Sequence, residues 1–127
     1  MTHEIDEAGF AAWLDGYKAA WEARDPSAAA ALFTEDASYH EMPFDPPILG
    51  RDAIAAYWAN AVAGQQGVSF TYDILSCASG EAICHWHCAF TGTPGGAAVE
   101  LDGIFRCRFA DAAHVDRFEE WWHVKVS

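Results

Sequence analysis

Gly16-Tyr17-Lys18-Ala19-Ala20-Trp21-Glu22-Ala23-Arg24-Asp25-Pro26-Ser27 runs on through Ala31-Leu32-Phe33-Thr34-Glu35-Asp36-Ala37-Ser38-Tyr39-His40-Glu41 to Gly50-Arg51-Asp52-Ala53-Ile54. Upstream and within it, Phe10, Trp13, Leu14, Tyr17 and Trp21 recur at three- and four-residue steps, so they share one face of a first helix and turn that face inward. Asp25 and Pro26 interrupt the pattern. The Asp25 carboxylate can accept from the free amides that open a second helix, and Pro26 suits the first turn, where its missing N–H would have been unpaired. This helix is expected to run to about Phe33. A strand follows, with Tyr39 and Glu41 on one side and Ser38 and His40 on the other. Met42-Pro43-Phe44-Asp45-Pro46-Pro47 must be a loop, because its prolines forbid regular pairing. Asp52 is the expected cap of a third helix with an apolar stripe of Ile54, Tyr57, Trp58 and Val62, ending near Gly64.

Beyond Val68 the periodicity changes from helical to alternating. Turn signals at Ser79-Gly80, Pro94-Gly95-Gly96 and Ala110-Asp111 divide four strands, at about 68–78, 82–92, 97–109 and 114–126. Their short connections favour antiparallel neighbours in a curved sheet that closes over the helices. In Glu81-Ala82-Ile83-Cys84-His85-Trp86-His87-Cys88-Ala89-Phe90, alternation sets Cys84, Trp86, Cys88 and Phe90 against Ile83, His85, His87 and Ala89. The first set is the more apolar, so Trp86, Cys88 and Phe90 are assigned inward and the histidines outward. In the last strand Phe118, Glu120 and Trp122 oppose Glu119, Trp121 and His123, and aromatics on both sides leave periodicity undecided.

At 127 residues and 52% hydrophobic, the chain fits one globular domain, residues 1–127, with a single core. A formal net charge of −12 repels phosphate backbones and anionic lipid surfaces, which argues against nucleic acid and membranes as partners. No apolar run is long enough to span a bilayer, and the acidic start Met1-Thr2-His3-Glu4-Ile5-Asp6-Glu7 lacks the basic and apolar regions of a signal peptide. A cytoplasmic protein is expected. Cys77, Cys84, Cys88 and Cys107 have no Cys-x-x-Cys spacing and read as buried free thiols. His85 and His87 would share one strand face, as some zinc sites require, but a third ligand is missing, so no metal site is expected.

The order of helix, Asp-Pro break, short helix, strand and Gly-Arg-Asp helix start resembles the opening of a cone-shaped α+β fold. Nuclear transport factor 2, ketosteroid isomerases and SnoaL-like polyketide cyclases share that fold, with three N-terminal helices packed on a curved, mainly antiparallel sheet. The resemblance extends over nearly the whole chain. It implies that Glu120 sits where SnoaL-like cyclases carry an acid/base aspartate on the terminal strand, aligned through Arg108-Phe109 and Val115, and therefore points into the cone beside Phe118 and Trp122. Compared with ketosteroid isomerases through Tyr17, Asp25, Phe33, Ala37 and Gly50-Arg51, Tyr17 matches the oxyanion-binding tyrosine and Glu41 the general-base aspartate. The third catalytic position, a protonated aspartate, falls at or near Phe105, and nearby Asp102 should lie on the opposite face.

Two carboxylates in an apolar cavity form an acid/base device when burial raises the pKa of one and the other stays better solvated. Glu41 and Glu120 are the candidates, with Tyr17 polarising an oxygen, on a small, largely apolar, carbonyl-containing molecule and without a cofactor. Trp13, Tyr57, Trp58, Trp86, Phe90, Phe105, Phe118 and Trp122 are the expected lining. The plainer readings are Glu41 at the rim, Glu120 as a strut bonded to Tyr17 or Arg51, and Tyr17 as a core residue. A non-catalytic ligand-binding or dimeric association module is the alternative function. The outer face with His85, His87 and Trp121 is the expected homodimer surface.

Overall fold

The computed structural model describes residues 3–127; Met1 and Thr2, which begin the acidic start, lie outside them. Helices α1 (Glu7–Glu22), α2 (Pro26–Ala30) and α3 (Arg51–Ala63) pack on a six-stranded sheet of β1 (Phe33–His40), β2 (Ile48–Leu49), β3 (Gln65–Ala78), β4 (Glu81–Gly92), β5 (Ala98–Phe109) and β6 (Val115–Val126), in the order β2-β1-β6-β5-β4-β3. Every neighbouring pair is antiparallel except β1 and β6.

Asp6 caps α1 through the Gly9 amide, and the stripe of Phe10, Trp13, Leu14, Tyr17 and Trp21 is buried against the sheet. Lys18 fixes the helix to β3 by donating to both Glu22 and the Phe70 carbonyl, while Glu22 accepts from the Phe70 amide. Asp25 caps α2 through the Ala28 amide with Pro26 in the first turn, as expected. The helix nevertheless ends at Ala30. Phe33 belongs to β1 because the Leu32 carbonyl accepts from both the Val115 amide and the Trp13 indole, so pairing with β6 takes over from the helical ladder.

The third helix also departs from expectation at its start. Gly50, not Asp52, is the N-cap, and no side chain caps the helix. Gly50 holds φ +90°, a left-handed conformation that suits glycine, while its amide donates to the Ala37 carbonyl and its carbonyl accepts from Ile54. Asp52 instead lies in the first turn, where its charge complements the helix dipole. The two-residue strand β2 beside β1 was not anticipated from sequence.

Along β4 the inward assignment holds: Cys84, Trp86 and Cys88 are buried, with Phe90 packed against the core, and the intervening residues are less enclosed. The four cysteines are free; Cys84, Cys88 and Cys107 are buried, and Cys77 is partly so. Burial pushes the Cys84 and Cys88 thiols up to about 12, so both stay protonated near neutrality. Gly103 faces Trp86 across β4 and β5, and a Cβ there would lie 2.9 Å from Trp86 Cζ2 and 2.3 Å from the Trp121 carbonyl oxygen. The bare backbone at Gly103 therefore lets the Trp86 ring lie flat over β5.

Candidate active site

Between α1, α3 and the concave face of the sheet is a cavity of about 290 Å³. Tyr17 and Trp21 from α1, Tyr57, Trp58 and Ala61 from α3, and Tyr39 and Glu41 from β1 and its end form one side. Gln65, Trp86, Phe90, Val99, Leu101, Glu120, Trp122 and Val124 complete it from the other strands. Lysine, arginine and histidine are absent from this lining among the described residues, so its ionisable character is acidic and phenolic.

Alternation along β6 turns Phe118, Glu120 and Trp122 inward and leaves Trp121 exposed. Only 7% of Glu120 is exposed, and no described group hydrogen-bonds its carboxyl. Burial first, and the nearby Glu41 carboxylate second, hold its pKa well above the ordinary carboxyl range, which favours the neutral acid. The Arg51 guanidinium is committed elsewhere, donating to the Phe33 carbonyl. The arrangement is therefore not an ion-paired strut.

Glu41 follows β1 and accepts from the Tyr57 hydroxyl at 3.3 Å. Partial burial, reinforced by the Asp45 carboxylate, raises its pKa, against the Tyr57 hydrogen bond, which favours the ionised form. It is less enclosed than Glu120 and so the easier of the two to ionise. The Tyr39 hydroxyl is in polar contact with those of Tyr17 and Tyr57, so three phenols border the two carboxyls. Burial, followed by the charge on Glu120, raises the Tyr17 and Tyr39 pKa values well above the phenolic range, and both remain hydrogen-bond donors at neutral pH.

Of the expected lining, Tyr57, Trp58, Trp86, Phe90 and Trp122 border the cavity. Trp13, Phe105 and Phe118 do not. They fill the narrow end of the cone behind it, where Phe118 stacks on Tyr39 with ring centroids 4.6 Å apart and Phe105 sits 5.1 Å from Tyr17. An inward-facing position is consumed by the core at that end and reaches open space only nearer the mouth. Sequence reasoning missed Trp21, Tyr39, Ala61, Gln65, Val99, Leu101 and Val124 as lining. The alternation that places Glu41 inward also places Tyr39 inward, and Trp21 continues the α1 stripe; Gln65 carries no comparable signal.

The register pairs Phe105 directly with Glu120 across β5 and β6. The position at which the ketosteroid isomerase comparison expects a protonated acid is thus apolar on β5, with a buried, neutral-leaning carboxyl beside it on β6. Asp102 lies on the outer face, where it pairs with His85 at 2.9 Å.

The model of the SnoaL-like domain matches residues 14–117. The chain belongs to the SnoaL-like domain family. No curated protein matches it by sequence. Among solved structures, the epoxide hydrolase/cyclase-like enzyme SalBIII, of pyran ring formation in the polyether salinomycin, is 16% identical, with a TM-score of 0.82 over 96% of this chain and 98% of that one. The Delta 5-3-ketosteroid isomerase from Mycobacterium sp. is 18% identical, with a TM-score of 0.77 over 94% and 98%. A computationally designed 17-OHP binder is 17% identical, with a TM-score of 0.79 over 94% and 98%. These likenesses give the SnoaL-like chain the cone-shaped α+β fold of nuclear transport factor 2-like proteins. At such identities they extend to the fold alone, which carries both enzymes and a binder.

Proposed function

We propose that this SnoaL-like protein is a cofactor-independent isomerase, cyclase or lyase that moves protons on a small, largely apolar carbonyl compound. The observation that carries the reading is the unpartnered, buried Glu120 carboxyl in the same cavity as the better solvated Glu41. Glu41, ionised, takes a proton from the carbon next to the carbonyl. Glu120, neutral, and the Tyr17 hydroxyl donate hydrogen bonds to the carbonyl oxygen as it gains negative charge. Tyr57 keeps Glu41 aimed inward, and the proton then returns at a different carbon or to a leaving oxygen. The aromatic walls hold the substrate by apolar burial.

Two measurements test this reading. Carboxyl titration by isotope-edited NMR is expected to show Glu120 and Glu41 both above the ordinary range. A depressed Glu120 pKa would contradict the assigned acid. Deuterium exchange into the α-carbon of 2-tetralone in D2O is expected to accelerate with the protein present and to revert in Glu41→Gln. Binding of the ketone without accelerated exchange would turn the assignment to the non-catalytic ligand-binding module.

The same proposal includes a homodimer through the outer sheet face. All three helices lie on the concave side, and Trp121 stands 43% exposed beside Ile104 on the uncovered side. Trp121→Glu is expected to dissociate the dimer in sedimentation, because a carboxylate enclosed at an interface without a partner costs several kcal/mol. A wild-type monomer at micromolar concentration would remove this part of the proposal. Free cysteines suit a reducing compartment, so the proposed location is the cytoplasm. Among the described residues no helix is long and apolar enough to cross a membrane.

A further inference from the structure

Among the described residues, Gln65 is the one amide side chain in a cavity otherwise lined by aromatic, aliphatic and carboxyl groups. It opens β3, immediately after the Gly64 that ends α3, and is 9% exposed. Its Oε1 accepts from the Trp21 indole Nε1 at 2.7 Å in a buried hydrogen bond. An indole nitrogen can only donate, so this contact fixes which end of the amide is oxygen and turns the NH2 group away from Trp21. That nitrogen meets no acceptor among the described residues. Unlike the indole nitrogens of Trp58 and Trp86, it is not sealed against water-sized contact.

We infer that the Gln65 amide is a positioning donor that registers a second oxygen of the substrate, at the opposite end of the cavity from the two carboxyls. The sheet order places Glu41 and Glu120 at β1 and β6 and Gln65 on β3, at the far edge, with β5 and β4 between. Wall residues along that path, including Phe90 and Leu101, offer only apolar surface. A ligand that satisfies both ends has an enolisable carbonyl at the Glu120 end, an apolar body, and an acceptor oxygen, such as a second carbonyl or an ether, facing Gln65. Leaving that oxygen out leaves an oriented, mostly buried donor unmatched, which is how such a site rejects a closely similar molecule. The inference rests on the proposed reading of the cavity and narrows its substrate class to two-ended oxygenated compounds.

The test uses 6-methoxy-2-tetralone and 6-ethyl-2-tetralone, which share the enolisable carbonyl for the Glu120 end and differ only in the far ether oxygen, a methylene in the ethyl compound, titrated by calorimetry into the full chain. The wild type is expected to bind the methoxy compound about tenfold more tightly, the effect of one neutral hydrogen bond to a buried donor. Gln65→Glu keeps an acceptor for Trp21 but removes the donor, and Gln65→Met removes both. Each is expected to abolish the tenfold preference while leaving 6-ethyl-2-tetralone affinity within about a factor of two of wild type. In the wild type, the Gln65 side-chain amide signal in a ¹⁵N NMR spectrum is expected to move with the methoxy compound and not with the ethyl compound, a readout that needs no variant. Equal binding of both probes with an unmoved amide, or a preference that survives in the variants, overturns the role of Gln65 and leaves the acid/base cavity standing. Failure of both probes to bind the wild type overturns both readings together.

Discussion

Glu120→Gln is expected to reduce deuterium exchange into 2-tetralone on the order of a hundredfold or more, because it replaces the neutral acid by an amide of the same volume that is a far weaker hydrogen-bond donor to the charge gathering on the carbonyl oxygen. Glu120→Leu should lose activity equally, yet unfold at higher denaturant, with a gain of about 1 to 3 kcal/mol at neutral pH from removing a buried carboxyl that no described group hydrogen-bonds. The pH dependence separates this from general repacking. Below the ordinary carboxyl range both folded and unfolded chains hold the Glu120 proton. Between that range and the raised folded value only the folded chain holds it, so the folded state binds more protons and stability falls as pH rises. Urea unfolding of the wild type from pH 4 to 8 should show this decline, and Glu120→Leu should flatten it except for the part due to Glu41. A leucine variant that is less stable at every pH would mean that the carboxyl holds the fold together, and the catalytic assignment would lose its basis.

Gly103→Ala is expected to destabilise the protein by about 3 kcal/mol, lowering its melting temperature by roughly 10 °C or more. Its new Cβ would lie 2.3 Å from the Trp121 carbonyl oxygen, 2.9 Å from Trp86 Cζ2 and 3.0 Å from the Trp122 Cβ. The nearest of these belongs to the backbone, which cannot swing aside as a side chain can. Relief requires β5 and β6 to separate and Trp86 to lift from its stack on Phe105, with ring centroids now 4.8 Å apart. Because Trp86 and Trp122 line the cavity, the near-ultraviolet circular dichroism of the folded variant should change as well. Wild-type stability and an unchanged spectrum would show that the sheet absorbs the methyl group without cost.

Much of this architecture is written in local periodicity. The α1 stripe and the two faces of β4 follow from spacing alone, since helical and strand repeats act over a few residues. The inward direction of Glu120 needed the family resemblance, because aromatics occupy both faces of β6. Long-range decisions were not legible. Nothing near Ala30 announces that α2 stops there, because the competing partner is Val115, far along the chain. Gly50 displaced Asp52 as the helix cap because its amide is held by the Ala37 carbonyl of β1, distant in sequence, while its own carbonyl accepts from Ile54. Trp13, Phe105 and Phe118 face inward as readily as Trp122, and only the taper of the cone separates core from lining. Gln65 was invisible because its significance lies in the orientation that Trp21 imposes on it.

The single parallel pairing, β1 against β6, has a consequence for the chain as it is being made. Phe33 must wait for Val115 and Tyr39 for Phe118 before either finds its neighbour. During synthesis β1 can close one margin on β2, but its other margin stays open until every remaining strand has left the ribosome. Glu41 and Glu120 stand on either side of that seam, so the chemistry is assembled only when the last strand of the sheet docks. A nascent chain paused before β6 carries an uncovered strand margin and most of its aromatics without a lid, which makes it a natural client for chaperones.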